Sequence, residues 1–228
     1  MIRDNLKKIK LPANVVLVAA SKTQTVGVIE EAFAAGVNHF GENRVEEAKE
    51  KLGQLPNDIH AKTTWHLIGH LQSRKVKEAV ELFDWIDSVD SLELAKKINS
   101  AAQTQSKKMN VLVQVNISGE ASKSGYMLVG WESDAYLYKK FASEIKQINS
   151  LTNINLCGLM TIAPQFASAE ETRPIFQNVK LLQQRLQDNF LELNLPILSM
   201  GMSEDYQVAI EEGATMVRLG RIIFGERK

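Results

Sequence analysis

Along this 228-residue chain two hydrophobic patterns alternate. Short runs that are apolar at nearly every position give way to longer stretches in which apolar residues recur every three or four places. The first pattern marks a parallel strand covered on both faces, the second a helix with one buried stripe. Val15 to Ala20 is the first such strand, and it ends abruptly in Ser21-Lys22-Thr23. Val28, Ile29, Ala32 and Phe33 then share a helix face that stops at Gly36. Val37 to Phe40 runs into Gly41-Glu42-Asn43-Arg44, and Val45, Ala48 and Leu52 define a second helix expected to end at Gly53. Glu47 and Lys51 are expected to pair on the outer side of that helix. Ahead of the first strand, residues 1 to 10 make a short, weakly amphipathic helix with Leu6 and Ile9 on one side.

The alternation continues. Thr64 to Gly69 reads as a strand, and Ser73 to Leu82 as a helix carrying the basic cluster Arg74, Lys75 and Lys77. Phe83 to Val89 is strand four, after which Ser91 is placed to cap a helix with Leu94, Ala95, Ile98 and Ala102 inside. Asn110 to Ile117 is the most β-like run, and Ser118 to Gly130, rich in glycine and serine, is expected to be a mobile connection. Leu137, Phe141, Ile145 and Ile148 mark the next helix, Ile154 to Ile162 strand six, and Ile175, Val179, Leu182, Leu186 and Phe190 a long helix. Pro196 to Gly201 is strand seven, Ser203 is expected to cap a helix closed by Gly213, and Thr215 to Leu219 is strand eight. Eight strand-helix units without linker or repeat predict one α/β domain over residues 1–228, a single (β/α)8 TIM barrel. The rival is a doubly wound open sheet, but its G-x-G-x-x-G turn does not follow strand one.

Composition narrows the partners. Basic and acidic residues number 27 each, so the chain has no general field for nucleic acid. Its apolar runs stay well short of the roughly 20 residues of a spanning helix, and Met1 to Lys10 mixes charge with apolar residues unlike a signal sequence. A soluble cytoplasmic protein is expected. The single cysteine, Cys157, allows no internal disulfide and reads as a small core residue.

Barrel sites gather at the C-terminal strand ends, so these ends belong to one surface. They carry Lys22; Glu42 and Asn43; His66 and His70; Asp87 and Asp90; Asn116; Met160 and Thr161; Ser199 and Ser203; Arg218, Gly220 and Arg221. Gly201-Met202-Ser203 and Gly220-Arg221 follow strands seven and eight, where barrels commonly bind phosphate through backbone amides. Taken alone, Lys22 reads first as the return of the chain to solvent. Opposite a phosphate turn its amine can pair with the anion or form a Schiff base with a carbonyl of the ligand. A sugar phosphate, as in a lysine-dependent aldolase, and pyridoxal 5′-phosphate both satisfy this reading, and composition does not choose.

Six stretches together carry a family likeness: Ala20-Ser21-Lys22-Thr23, Phe40-Gly41-Glu42-Asn43-Arg44, Trp65 to Ser73, Gly158-Leu159-Met160-Thr161, Leu198 to Ser203 and Val217 to Gly225. In this order the chain resembles the pyridoxal phosphate homeostasis protein family over essentially its whole length. The resemblance implies a fold-type III barrel similar to the N-terminal domain of alanine racemase, with pyridoxal 5′-phosphate held as an aldimine on Lys22. It assigns Ser203, Gly220 and Arg221 to the phosphate, Arg218 to the pyridine nitrogen and Asn43 to the pocket lining. His66, Met160 and Ser199 lie in matching motifs, where a packing role competes with ligand contact. Arg221 stands where the family often has threonine or serine, Gln24 replaces a frequently basic residue, and Arg74 a common asparagine. Lys123 lies in a matching loop and reads as a solvated lysine or a second amine near the cofactor's path.

An arginine cannot keep the pyridine nitrogen protonated, so the ring becomes a weak electron sink. Only Arg221 to Lys228 follow strand eight, which leaves Tyr126 as the one tyrosine to nominate for a racemase's second base. The expectation is therefore a monomer that buffers pyridoxal phosphate and delivers it to dependent apoenzymes without efficient catalysis. A slow amino-acid racemase is the alternative.

Overall fold

The computed structural model describes residues 1–164 and 168–226; Arg227 and Lys228, the end of the expected tail, lie outside the described residues. Eight strands form a closed parallel ring: β1 (Val16–Ala20), β2 (His39–Glu42), β3 (Thr64–Leu67), β4 (Trp85–Val89), β5 (Met109–Asn116), β6 (Ile154–Met160), β7 (Ile197–Ser199) and β8 (Met216–Leu219). Each pairs with its neighbours in chain order, and β1 closes on β8 with Val16 opposite Met216 and Val18 opposite Arg218. The (β/α)8 barrel expected from the alternation is the fold observed, and closure leaves this ring without an unpaired edge.

Ten helices surround it among the described residues: α1 (Ile2–Lys8), α2 (Val26–Ala34), α3 (Val45–Gln54), α4 (Asn57–His60), α5 (Val76–Leu82), α6 (Leu92–Thr104), α7 (Ala135–Asn149), α8 (Arg173–Asn189), α9 (Tyr206–Glu211) and α10 (Arg221–Phe224). None is long and apolar enough to cross a membrane. Ser91 caps α6 as expected, its Oγ accepting from the Leu94 amide at 3.2 Å. Side chains alternate about the strands, so the outward residues, such as Ala19, Phe40, Trp65, Val113, Leu198 and Leu219, join the helices in one large core. Inward residues build a smaller one from Val18, Leu112, Cys157, Met160 and Met216. Burial there pushes the Cys157 thiol up to about 11, which keeps it neutral.

Several expectations change. Gly53 lies inside α3 and does not end it, because the helix continues to Gln54 and stops where Leu55 turns extended. In α7 and α8 the buried stripes begin at Tyr138 and Phe176, while Leu137 and Ile175 sit half-buried one position earlier; Phe141, Ile145, Ile148, Val179, Leu182 and Leu186 are buried as expected. The Ser118 to Gly130 connection is tied down: Asn116 Nδ2 donates to the Glu120 carbonyl at 2.9 Å, and Tyr126–Met127 adds two residues of parallel strand to β5. Leu128 and Trp131 then bury fully.

Close strand approach predicts one contrast. At Gly158 an added Cβ would lie 1.8 Å from the Ile197 carbonyl oxygen, whereas at Gly53 nothing stands within 4 Å. Gly158→Ala is expected to lower the unfolding free energy by about 2 kcal/mol or more, and Gly53→Ala to raise it by about 0.5–1 kcal/mol, in urea titrations.

Candidate functional site

The inward alternation of β1 and β8 leads directly to the barrel mouth. Val16 and Val18 pack in the interior, Ala20 follows on the same side, and Ala20 and Lys22 both line a cavity of about 620 Å³. On β8, Met216 is interior, and Arg218 and Gly220 line the same cavity. Met202, Ser203, Asp205 and Arg221 come from the loops after β7 and β8. Lys22 is half-buried at this rim.

Arg218 is the buried cation of the site, with 4% of its surface exposed. Its Nη1 donates to Ser199 Oγ at 2.7 Å and its Nη2 to the Thr161 carbonyl at 2.7 Å. Burial pulls its pKa below the usual guanidinium range, and the charges of Asp87 and Asp205 oppose that shift. An arginine remains protonated under such a shift, so the site holds a fixed positive charge with no acceptor atom.

Ser203 does not cap a helix. Asp205 occupies the N-cap of α9, and its Oδ1 accepts from the Met202 amide at 2.6 Å. Ser203 Oγ instead accepts from the amides of Gly220 and Ile222 at 3.4 and 3.3 Å. One hydroxyl and two backbone N–H groups therefore converge at the start of α10, a donor set suited to an anion's oxygens. Gly201 permits the approach: its φ of +93° is left-handed, and a Cβ there would meet that of Ala209 at 2.6 Å. Arg221 lines the cavity from the same turn, but its half-exposed guanidinium pairs with Glu204 Oε1 at 2.7 Å.

Comparison with known proteins identifies the fold and the family. The sequence matches the family described as alanine racemase, N-terminal domain, over residues 1–228. It is 39% identical over 217 residues to the pyridoxal phosphate homeostasis protein of Synechocystis, covering 95% of this chain and 94% of that one. The chain belongs to the pyridoxal phosphate homeostasis protein family. Among solved structures, PipY of Synechococcus elongatus with PLP bound is similar with a TM-score of 0.86 and 38% identity, over 99% of this chain and 100% of that chain. An alanine racemase of Clostridium difficile shares the fold, with a TM-score of 0.77, 21% identity and coverage of 99% of this chain and 56% of that chain.

In this member of the homeostasis protein family the expected site residues divide into two groups. Lys22, Ser203, Arg218, Gly220 and Arg221 share the cavity wall. Ser199 lies behind it as the hydroxyl holding Arg218, and Met160 is a fully buried part of the interior core. Asn43 is half-buried at the end of β2, where its carbonyl oxygen packs so closely on Gly69 that a Cβ there would lie at 2.2 Å. His66 is fully buried in the barrel, with Nδ1 3.2 Å from both oxygens of Asp87 and Nε2 3.0 Å from His39 Nδ1.

The packing separates the two readings of Lys123 and overturns the one of Lys51. Lys123 is not solvated: its side chain is 13% exposed, pairs with Glu120, and lines the cavity with Lys22. Lys51 does not lie outside α3 but is buried and reaches Glu42 Oε1 at 2.8 Å. Helical spacing identified the Glu47 to Lys51 pair; only the packing of α3 on β2 shows its direction. Thr23, Ile162 and Met202 line the cavity without any chemical signature that sequence reading detects.

The histidine pair generates a pH prediction. Desolvation, then the neighbouring His66, lowers the His39 pKa below its ordinary 6.5, with Asp87 and Asp84 opposing. Below about 6.5 the unfolded chain therefore binds more protons than the native one, so this contribution to stability is present above that pH and lost as pH falls. Urea titrations between pH 7 and 5.5 should show a steeper loss in the wild type than in His39→Asn.

Proposed function

We propose that this protein binds pyridoxal 5′-phosphate at the barrel mouth, with Lys22 as its covalent tether, and buffers and delivers it without efficient turnover. One observation carries the proposal: a lysine amine, a buried arginine and an amide cradle, taken from opposite ends of the chain, line a single cavity. Its volume of about 620 Å³ falls within the common range for small ligands. The bound cofactor supplies an aldehyde that condenses with an amine, with loss of water, and a conjugated ring. Ser203, Gly220 and Ile222 would hold its phosphate, and Arg218 would face its ring. The PLP-bound relative and the homeostasis name of the Synechocystis protein support this reading.

Arg218 carries the distinction between carrier and enzyme. A guanidinium can donate to a ring nitrogen but has no acceptor for its proton, so Arg218 would not keep that nitrogen protonated and the ring would withdraw electrons weakly. Tyr126, the candidate second base of a racemase, is engaged elsewhere. Its hydroxyl donates to Glu144 Oε2 on α7 at 2.8 Å, its ring packs edge-on against Phe141, and burial raises its pKa. It is not among the residues lining the cavity. Apoenzymes that use the same cofactor are its recipients.

Purified protein titrated with pyridoxal 5′-phosphate should develop a visible absorption band that Lys22→Ala abolishes. Individual chiral amino acids should show no sustained conversion by the loaded protein. A colourless wild type at saturating cofactor refutes the binding reading, and steady racemisation refutes the carrier reading. Ser203→Ala should weaken pyridoxal 5′-phosphate about tenfold while leaving pyridoxal unaffected, since only the former offers a charged acceptor.

A further inference from the structure

The backbone around Lys22 is held by a buried ionic network. Lys22 occupies the second position of a turn in which the Gln24 amide donates to the Ser21 carbonyl at 3.0 Å. The third position, Thr23, has a φ of +66°. Such turns favour glycine there, and a β-branched residue is strained in that region. Something outside the turn must therefore keep it in place.

Lys51 supplies that restraint from α3. Its ammonium has three protons and three acceptors, each at 2.8 Å: the Ser21 carbonyl, Glu42 Oε1 and Glu47 Oε1. Glu47 Oε1 also accepts from the Thr23 amide at 2.5 Å, and Glu42 Oε1 from Ser21 Oγ at 2.7 Å. The Ser21 carbonyl belongs to the peptide before Lys22, and the Thr23 amide to the peptide after it. Both peptide planes flanking the Lys22 Cα are thus tied to one buried ammonium, which fixes the direction in which the Lys22 side chain leaves the backbone.

The network is poorly arranged as a source of stability alone. Glu42 Oε2 is buried without a hydrogen-bond partner among the described residues, while Oε1 receives two donors. Buried ion pairs are on average weak contributors to folding, and an orphaned oxygen makes this one weaker. Its geometry points instead to orientation of the backbone. We propose that Lys51, acting with Glu47, is a positioning residue that aims the Lys22 amine into the cavity for condensation with the cofactor aldehyde. This inference rests on the reading of Lys22 as the tether. Misplacement of a reacting group by a fraction of an ångström to one ångström lowers reaction rates steeply, so the effect belongs in tether formation.

The test titrates wild type, Lys51→Met, Glu47→Met and Glu47→Gln with pyridoxal 5′-phosphate, following the absorption band, its rate of appearance and the urea unfolding midpoint. Lys51→Met should form the band about tenfold more slowly and weakly. Adding Thr23→Gly, which adopts the positive φ without strain, should recover at least about a third of that loss on a logarithmic scale even though it restores no ion pair. Glu47→Met, whose side chain is partly exposed, reports on the same clamp if Lys51→Met does not fold, and Glu47→Gln should retain near wild-type behaviour through its amide oxygen. Wild-type titrations in both methionine variants, or losses that follow the unfolding midpoint with no glycine rescue, overturn the assignment. A wild type without the band instead refutes the tether itself.

Discussion

The hydrogen-bonded pairing of β1 with β8 is the constraint on which the mouth depends. The Val16 amide donates to the Thr215 carbonyl at 2.9 Å, and the register then runs from Val16 opposite Met216 to Ala19 opposite Leu219. Buried peptide groups have to be paired, and in a closed barrel whose strands pair in chain order the remaining partner of the first strand is the last one. That requirement brings Ala20 and Lys22 beside Arg218 and Gly220, groups separated by nearly the whole chain. All eight strands run the same way, so every loop that follows a strand opens on the same rim.

Charge in the site is distributed by what each cation is bonded to. The two hydrogen bonds of Arg218 go to a hydroxyl and a peptide carbonyl, so its charge is directed but not cancelled. Lys51 is held by two carboxylates, and its charge is used up in orienting backbone. Arg221 pairs with Glu204 on the exposed rim, where such a pair contributes little and is readily exchanged for another anion. The barrel interior likewise holds both kinds of group: His66, Asp87 and Arg218 are buried in it beside the apolar cluster of Val18, Leu112, Met160 and Met216.

The strands and helices were legible in the chain because the two hydrophobic periods, nearly continuous and three-to-four, survive in all eight units. That Lys22, Ser203, Arg218 and Gly220 line one cavity was legible because strand ends of a parallel barrel must share a face. Gly53 misleads because a glycine near a helix end often terminates it, yet here Leu55 leaves the helix two residues later. Ser203 misleads for a related reason: serine before two acidic residues is a capping pattern, but its hydroxyl is drawn to the Gly220 and Ile222 amides after the adjacent strand β8.

The chain by itself determined its periodicity, the order of its elements and the chemistry of its strand ends, since these depend on neighbours along the sequence. The tertiary structure alone decided which side chains turn inward. Lys51 and Lys123 look like surface lysines in sequence, yet one lies buried against β2 and the other lines the cavity. Long flexible side chains take their direction from carboxylates and carbonyls brought up by distant elements, and local spacing does not encode those partners.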